Sequence, residues 1–339
     1  MHLLLFLFTA FGTDFVVGTQ NSAEVLNSTE DLASGELSKL RRLYDEFKQT
    51  YRKDHTGEED ERRLNIFREN IHKAKLLQDS EQGTAEYGVT EFSDMTEEEF
   101  SAQYANLHLS SEDSVNQPRV FLNPQRTPES IDWRKQGAVT PVQHQGSCGS
   151  CWSFSAIGVI EGQWYRKSKK LIKLSEQQLV DCDAIDTGCN GGFPRNGYKA
   201  IRKMGGIQTA ASYPYVGEKK KCAADSSKFV AYVNETVSFN PDEAEIADWL
   251  AVNGPVSMSL NVKPLKSYKS GIIHLTAANC VKQVTHSVVG VGYGVEKNVP
   301  YWLIKNTYGR KWGENGYFRI YRGDGTCGIN KFANAVRIH

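Results

Sequence analysis

Seven cysteines, at positions 148, 151, 182, 189, 222, 280 and 327, are the residues of this chain most able to do covalent chemistry. Two of them lie close together in Gln145-Gly146-Ser147-Cys148-Gly149-Ser150-Cys151-Trp152. A cysteine attacks carbon only as its thiolate, so the useful question is which of the seven is placed to ionise. The run from Trp152 to Glu161 reads as a mostly buried helix that begins at Cys151. A thiol at such a start faces unpaired backbone N–H groups and the positive end of the helix dipole, which marks Cys151 as a candidate nucleophile. Taken alone, the Cys-x-x-Cys spacing fits a redox pair, a zinc half-site or a structural disulfide, the last being the commonest.

A nucleophilic thiol needs a base, and the stretch after residue 126 holds His144, His274, His286 and His339. His286 opens the strand-like Ser287–Tyr293, a turn-rich segment follows, and the returning Tyr301–Lys305 ends at Asn306. A hairpin centred near Glu296 sets His286 opposite Asn306 with both side chains on one face. The amide then holds one ring nitrogen and leaves the other for a thiol. A buried structural His–Asn pair is the alternative. His144 is too near Cys151 in the chain to be judged, and His274 and His339 have no comparable partner.

The elements that must position these groups fall in two parts of opposite charge. Residues 1 to 126 carry 13 basic and 23 acidic side chains, and residues 127 to 339 carry 27 and 17, so a net charge of zero conceals −10 and +10. Such a division suggests that the first part lies against the second and leaves it as acid neutralises carboxylates such as Asp94, Glu97, Glu98 and Glu99. Met1 to Phe11 is apolar, too short for a comfortable membrane span and followed by small residues, as in a cleaved secretory signal (residues 1–18). An exported chain folds in an oxidising compartment, where six cysteines pair and one is left over. The sequons at Asn27 and Asn234 fit that route as glycosylation sites.

After loose polar residues 19 to 35, a helix is expected over Glu36–Tyr51 and a second after Thr56-Gly57. In the second, Glu59, Arg63, Phe67, Asn70, Ala74 and Gln78 form one stripe. A short strand over 87–94, a capped helix from Thr96 and an extended linker over 106–128 complete the first part. In the second part, helices near Ser175, over 195–204 and over 242–253 precede strands at 256–262, 287–293, 301–305 and 317–321. Helices first and strands later indicate an α+β chain of two lobes with a ligand cleft between them.

The motifs Pro141–Trp152, Cys189-Asn190-Gly191-Gly192, His286–Gly294 and Trp312–Tyr317, together with the stripe on the second helix, resemble the papain family of cysteine protease precursors. The resemblance implies an α+β, two-lobed papain-like fold with a helical lobe and a β-barrel-like lobe. A mainly helical inhibitory propeptide (residues 19–126) precedes the mature peptidase domain (127–339). Cys151 is then the nucleophile, His286 its acid and base, Asn306 the residue that orients His286, and Gln145 an oxyanion donor. It further implies disulfides Cys148–Cys189, Cys182–Cys222 and Cys280–Cys327, which leave Cys151 as the odd thiol.

Gly191 and Gly192 would hold an extended substrate as an added strand, and Phe193, Pro194, Ser259, Ser287 and Phe332 would line its main specificity pocket. The implied partners are protein and peptide substrates, the chain's own propeptide and cystatin-type inhibitors. The implied state is a monomer, in lysosomes or outside the cell, with no nucleic acid, membrane span, metal or organic cofactor. The chain departs from the family at Asn306-Thr307-Tyr308-Gly309, where Trp is usual in place of Tyr308, and at Phe332, which is larger than is common. A disulfide oxidoreductase using Cys148 and Cys151, and a catalytically inactive homologue acting as a binding protein, are the competing readings.

Overall fold

The computed structural model describes residues 22–109 and 128–339, with side chains from residue 37 onward in the first span. The signal-like residues 1–18, the segment 110–127 and the side chain of Asn27 lie outside the described residues. The chain divides into two compact units, one ending at Asp54 and one from His55 to His339.

In the first unit the helix α1 runs Ser22–Tyr51, so it begins well before the expected Glu36. Residues 22–34 include Ala, Glu and Leu, good helix formers, and a single Gly35 costs only about 1 kcal/mol in a helix. Arg52, at a φ of 55°, ends it.

The second unit opens with α2 (Gly57–Ser80), the two-residue strand β1 (Glu86–Tyr87) and α3 (Glu97–Tyr104). The stripe on α2 is what holds the segment between those helices. Arg63 forks onto the Glu99 carboxylate at 2.6 and 2.9 Å and also donates to the Asp94 carbonyl at 2.8 Å. Asn70 donates to the carbonyls of Ser93 and Met95, both at 2.8 Å. Gln78 accepts from the Tyr87 N–H and donates to the Ala85 carbonyl, each at 3.0 Å. Phe67 and Ala74 are buried beneath.

The strand expected over 87–94 is confined to β1. The hydroxyls of Ser93 and Thr90 capture the N–H groups of Thr90 and Phe92 and fold the rest into turns, a competition short polar side chains commonly win. The cap expected at Thr96 is present, with a reciprocal bond from Glu99.

The remainder contains β2 (Ile131–Asp132), α4 (Cys151–Ser168), α5 (Glu176–Cys182), α6 (Pro194–Met204), β3 (Glu235–Ser238), α7 (Glu243–Asn253), β4 (Val256–Leu260), β5 (Tyr268–Ser270), β6 (Ile272–Ile273), β7 (His286–Glu296), β8 (Val299–Lys305), β9 (Tyr317–Tyr321) and β10 (Asn334–Arg337). One sheet takes the order β3-β10-β4-β7-β8-β9-β6, with β2 added on β7. The long α4 crosses it, burying Trp152, Ile157 and Ile160 against Met258, Val288 and Ile304 in a continuous core. Gly158 meets the Val289 side chain, and a Cβ there would come within 2.9 Å of it. The architecture is the papain-like α+β fold with a helical N-terminal region. Disulfides join Cys148 to Cys189, Cys182 to Cys222 and Cys280 to Cys327, the pairs implied by the resemblance.

Residues 82–90 cross onto the same body by backbone pairing. β1 runs antiparallel to β5, and the amides of Gln82, Thr84 and Gly88 donate to the carbonyls of His274, Ile272 and Ser267 at 2.8 to 3.0 Å. Lys266, almost wholly buried, donates to Asn70 at 2.8 Å and to Glu97 at 3.2 Å.

Candidate active site

Cys151 is the one free cysteine among the described residues and is fully buried at the first position of α4. Burial pushes its thiol up to about 11, while backbone N–H groups of Ser287, Trp152 and Cys151 itself pull the other way. The influence of the Ser287 N–H places the sulfur near the start of β7, where His286 stands.

His286 Nε2 lies 2.9 Å from Asn306 Oδ1, with both residues buried. Burial holds the imidazole down to about 4, and Asn306 and the Tyr104 carbonyl oppose that shift. Nδ1 makes no hydrogen bond of ordinary geometry, although the Tyr104 carbonyl approaches closely enough to favour the charged ring.

The contact expected between His286 and Asn306 is present, but the expected hairpin register is not. Lys297 and Asn298, both at positive φ, form the turn, and Glu296 pairs with Val299. A bulge between Gly290 and Gly292 then shifts the ladder so that Val289 faces Lys305. His286 pairs across to Leu260 on β4, and Asn306 lies just past the end of β8. The two side chains therefore meet on a diagonal and not as direct cross-strand partners.

Gln145 is anchored from both sides. Its Oε1 accepts from Thr307 at 2.6 Å, and its Nε2 donates to the Cys148 carbonyl at 3.0 Å. An amide nitrogen has two hydrogens, so a second remains for an oxygen in the cleft.

Tyr308 sits beside His286 with ring centroids 5.3 Å apart and is packed edge-on by Phe92, Tyr104 and Trp312. Its hydroxyl is buried without a partner.

The cleft is occupied by residues of the N-terminal segment. Gln103 donates to the Gly146 carbonyl at 2.8 Å, Leu107 N–H to Thr285 at 3.0 Å and His108 N–H to Gly192 at 3.1 Å, and Gly192 N–H reaches Asn106 at 3.2 Å. At Gly191, φ is +121° and an added Cβ would stand 2.4 Å from the Asn106 carbonyl, so only glycine allows the approach. Leu107 packs with Phe193, Val284 and Phe332. Pro194 follows Phe193 as the first residue of α6. Ser259 and Ser287 are buried cross-strand partners whose hydroxyls lack hydrogen bonds. Val284 was missed in the sequence because it precedes β7 in a loop without periodicity.

The sequence profile of the papain family cysteine proteases matches residues 127–337. The chain belongs to that family. The profile of the cathepsin propeptide inhibitor domain matches residues 44–100, which makes this papain-family protease a precursor carrying its own inhibitory segment.

Cathepsin F of Mus musculus is 40% identical over 330 residues, 96% of this chain and 71% of that protein. Cysteine proteinase 15A of Pisum sativum is 38% identical over 351 residues, covering 98% and 96% of the two chains. Among solved structures, the digestive procathepsin L2 proteinase of Tenebrio molitor larval midgut superimposes with a TM-score of 0.81 at 33% identity, covering 88% of this chain and all of that one. The papain-family precursor is thus a cysteine endopeptidase in its inactive form. Among the described residues, no helix is long and apolar enough to cross a membrane.

Proposed function

We propose that this precursor, once residues 19–126 are removed, hydrolyses peptide bonds through a thioester on Cys151. The observation that carries the reading is His286, held by Asn306 at 2.9 Å through Nε2, with Nδ1 met only by the Tyr104 carbonyl of the covering segment and the free Cys151 facing the backbone N–H of the adjacent Ser287.

In the uncovered site the Cys151 proton passes to His286, and the thiolate attacks the substrate carbonyl carbon. The resulting oxyanion receives the spare Gln145 N–H and the Cys151 backbone N–H, donors aimed at charge that exists only after attack. His286 then gives its proton to the departing amine, and a water activated by His286 cleaves the thioester and restores the thiol. Asn306 acts through His286 by fixing its orientation.

Gly191 and Gly192 bind the substrate backbone, and Phe193, Pro194, Val284, Ser259, Ser287 and Phe332 form the pocket for the second residue before the cleaved bond. Leu107 in contact with Phe193, Val284 and Phe332 supports a preference for a branched aliphatic side chain there. No acidic residue is in that set, so an arginine would be rejected. Cystatin-type inhibitors, a monomeric mature enzyme, glycans on Asn27 and Asn234, and a lysosomal or extracellular location complete the proposal.

The test is acid activation followed by assay on a fluorogenic dipeptide. Activity lost in Cys151→Ser and titrated to zero by a thiol-specific epoxide is the expected result, and turnover by Cys151→Ser overturns it.

A further inference from the structure

Beyond the apolar pocket the cleft wall becomes cationic. Leu107 and Leu109 border an open depression of about 500 Å³ whose other walls are Lys282, Gln283, Val284, Lys331 and Phe332. Between Leu107 and Leu109 the N-terminal segment is extended. Leu107 gives its N–H to one wall at Thr285, and His108 gives its own to the opposite wall at Gly192. Side chains two apart in such a strand face the same way, so the positions of Leu107 and Leu109 are successive places along one wall, the second farther along the chain from Tyr104, whose backbone meets His286.

Neither lysine is neutralised by a carboxylate among the described residues. Lys331 Nζ donates to the Lys282 carbonyl at 3.0 Å, and Lys282 Nζ donates to the Asp324 carbonyl at 2.5 Å. The Asp324 side chain is itself directed to Thr326 at 2.5 Å and His274 at 3.1 Å. Two ammonium groups bound only to backbone oxygens retain donors and charge for an incoming anion.

We infer that Lys282 and Lys331 form a subsite that selects an acidic side chain at the fourth residue before the cleaved bond, two residues ahead of the one in the apolar pocket. The inference rests on the pocket assignment made above. An aliphatic residue fills the space taken by Leu107, and a carboxylate in the place of Leu109 meets the two lysines. Both cations are partly in water, so the selection is moderate and sensitive to salt.

The test uses the activated enzyme and tetrapeptide substrates that keep Leu as the second residue before the cleaved bond and vary the fourth among Glu, Gln and Lys. The expected kcat/KM for Glu exceeds that for Gln by about three- to tenfold and exceeds that for Lys by more, and 0.5 M NaCl reduces the ratio towards one. In Lys282→Glu and Lys331→Glu the order of Glu and Lys reverses. The ratio is internal to each preparation, so partial misfolding of a variant leaves it readable, and the salt series on the native enzyme needs no variant.

A parallel substrate with Gly in place of the Leu separates the two readings. If that change lowers kcat/KM while Glu, Gln and Lys are turned over equally, the cationic subsite alone is overturned. If the change has no effect, the pocket assignment fails and this inference fails with it.

Discussion

At Cys151 and His286 the covered site suppresses the charges that the proposed mechanism needs. Burial raises the thiol to about 11 and lowers the imidazole to about 4, so between those values the neutral pair is favoured. The sign of the pH effect follows from His286. Its pKa in the covered state is below the ordinary 6.5, so the uncovered state binds more protons, and the covered state loses stability as pH falls from about 6.5 to about 4. The slope is at most about 1.4 kcal/mol per pH unit. Hydrogen exchange at residues 104–108 of a Cys151→Ser precursor is therefore expected to accelerate across that window, and His286→Gln to flatten the response; an equal response in both variants would remove His286 from the trigger.

Tyr308 offers a second test at the same scale, because its buried hydroxyl has no partner. Tyr308→Phe is expected to stabilise the precursor by about 1 kcal/mol, read as a higher Tm. In the mature enzyme a larger indole would shield the His286–Asn306 bond better than the phenol does, so Tyr308→Trp is expected to move the alkaline limb of kcat/KM upward.

Among the elements, α4 was legible as a continuous apolar run after a glycine-rich approach, and the stripe on α2 because it follows a helical period; in α2 the polar members of the stripe turn out to be the clamps. Asn70 alone holds two carbonyls and accepts from the buried Lys266. Asn70→Ala should destabilise the covered state by about 2 kcal/mol or more, since it leaves a buried cation short of a partner, and processing at neutral pH should quicken. An unaltered Tm and processing rate would contradict the clamp role.

The register of β7 and β8 was not legible. A two-residue turn at Lys297-Asn298 and a bulge near Val291 are decided by local backbone angles, which the alternation of apolar residues does not encode. The contact of His286 with Asn306 was still anticipated because a diagonal neighbour and a direct one lie within reach of the same side chains. Strands β3, β5, β6 and β10 are two to four residues long, too short to show a period.

Across the whole molecule the opposite charges of the two halves matter less than their totals suggest. Glu99 pairs with Arg63 inside the N-terminal segment and is held down to about 2 by that hydrogen bond, so its contribution is present above its ordinary pKa and lost only as pH approaches 2. Asp94 sits 2.8 Å from His55, also within the segment. Direct ion pairs to the peptidase part reduce to Glu97 with Lys266 at 3.2 Å and Glu91 with His144 at 3.8 Å among the described residues, whereas backbone bonds are numerous. Release is therefore expected to follow pH more than ionic strength; 0.5 M NaCl at pH 7 should leave the processing rate within about a factor of five, since a single such pair contributes about 1 kcal/mol.

The pairing of β1 with β5 also bears on how the activated enzyme keeps. When the segment departs, Tyr268–Ser270 loses the strand with which it forms a two-stranded sheet and is left as unpaired extended backbone, and Lys269 in its middle loses the Val89 carbonyl. Unpaired extended backbone is a template for another chain, and the exposed ammonium of Lys269 opposes such pairing while it stays charged. Light scattering of the mature enzyme should accordingly grow with concentration faster than that of the precursor, and Lys269→Met should make it grow faster still. The segment would then serve as a storage cover as well as an inhibitor.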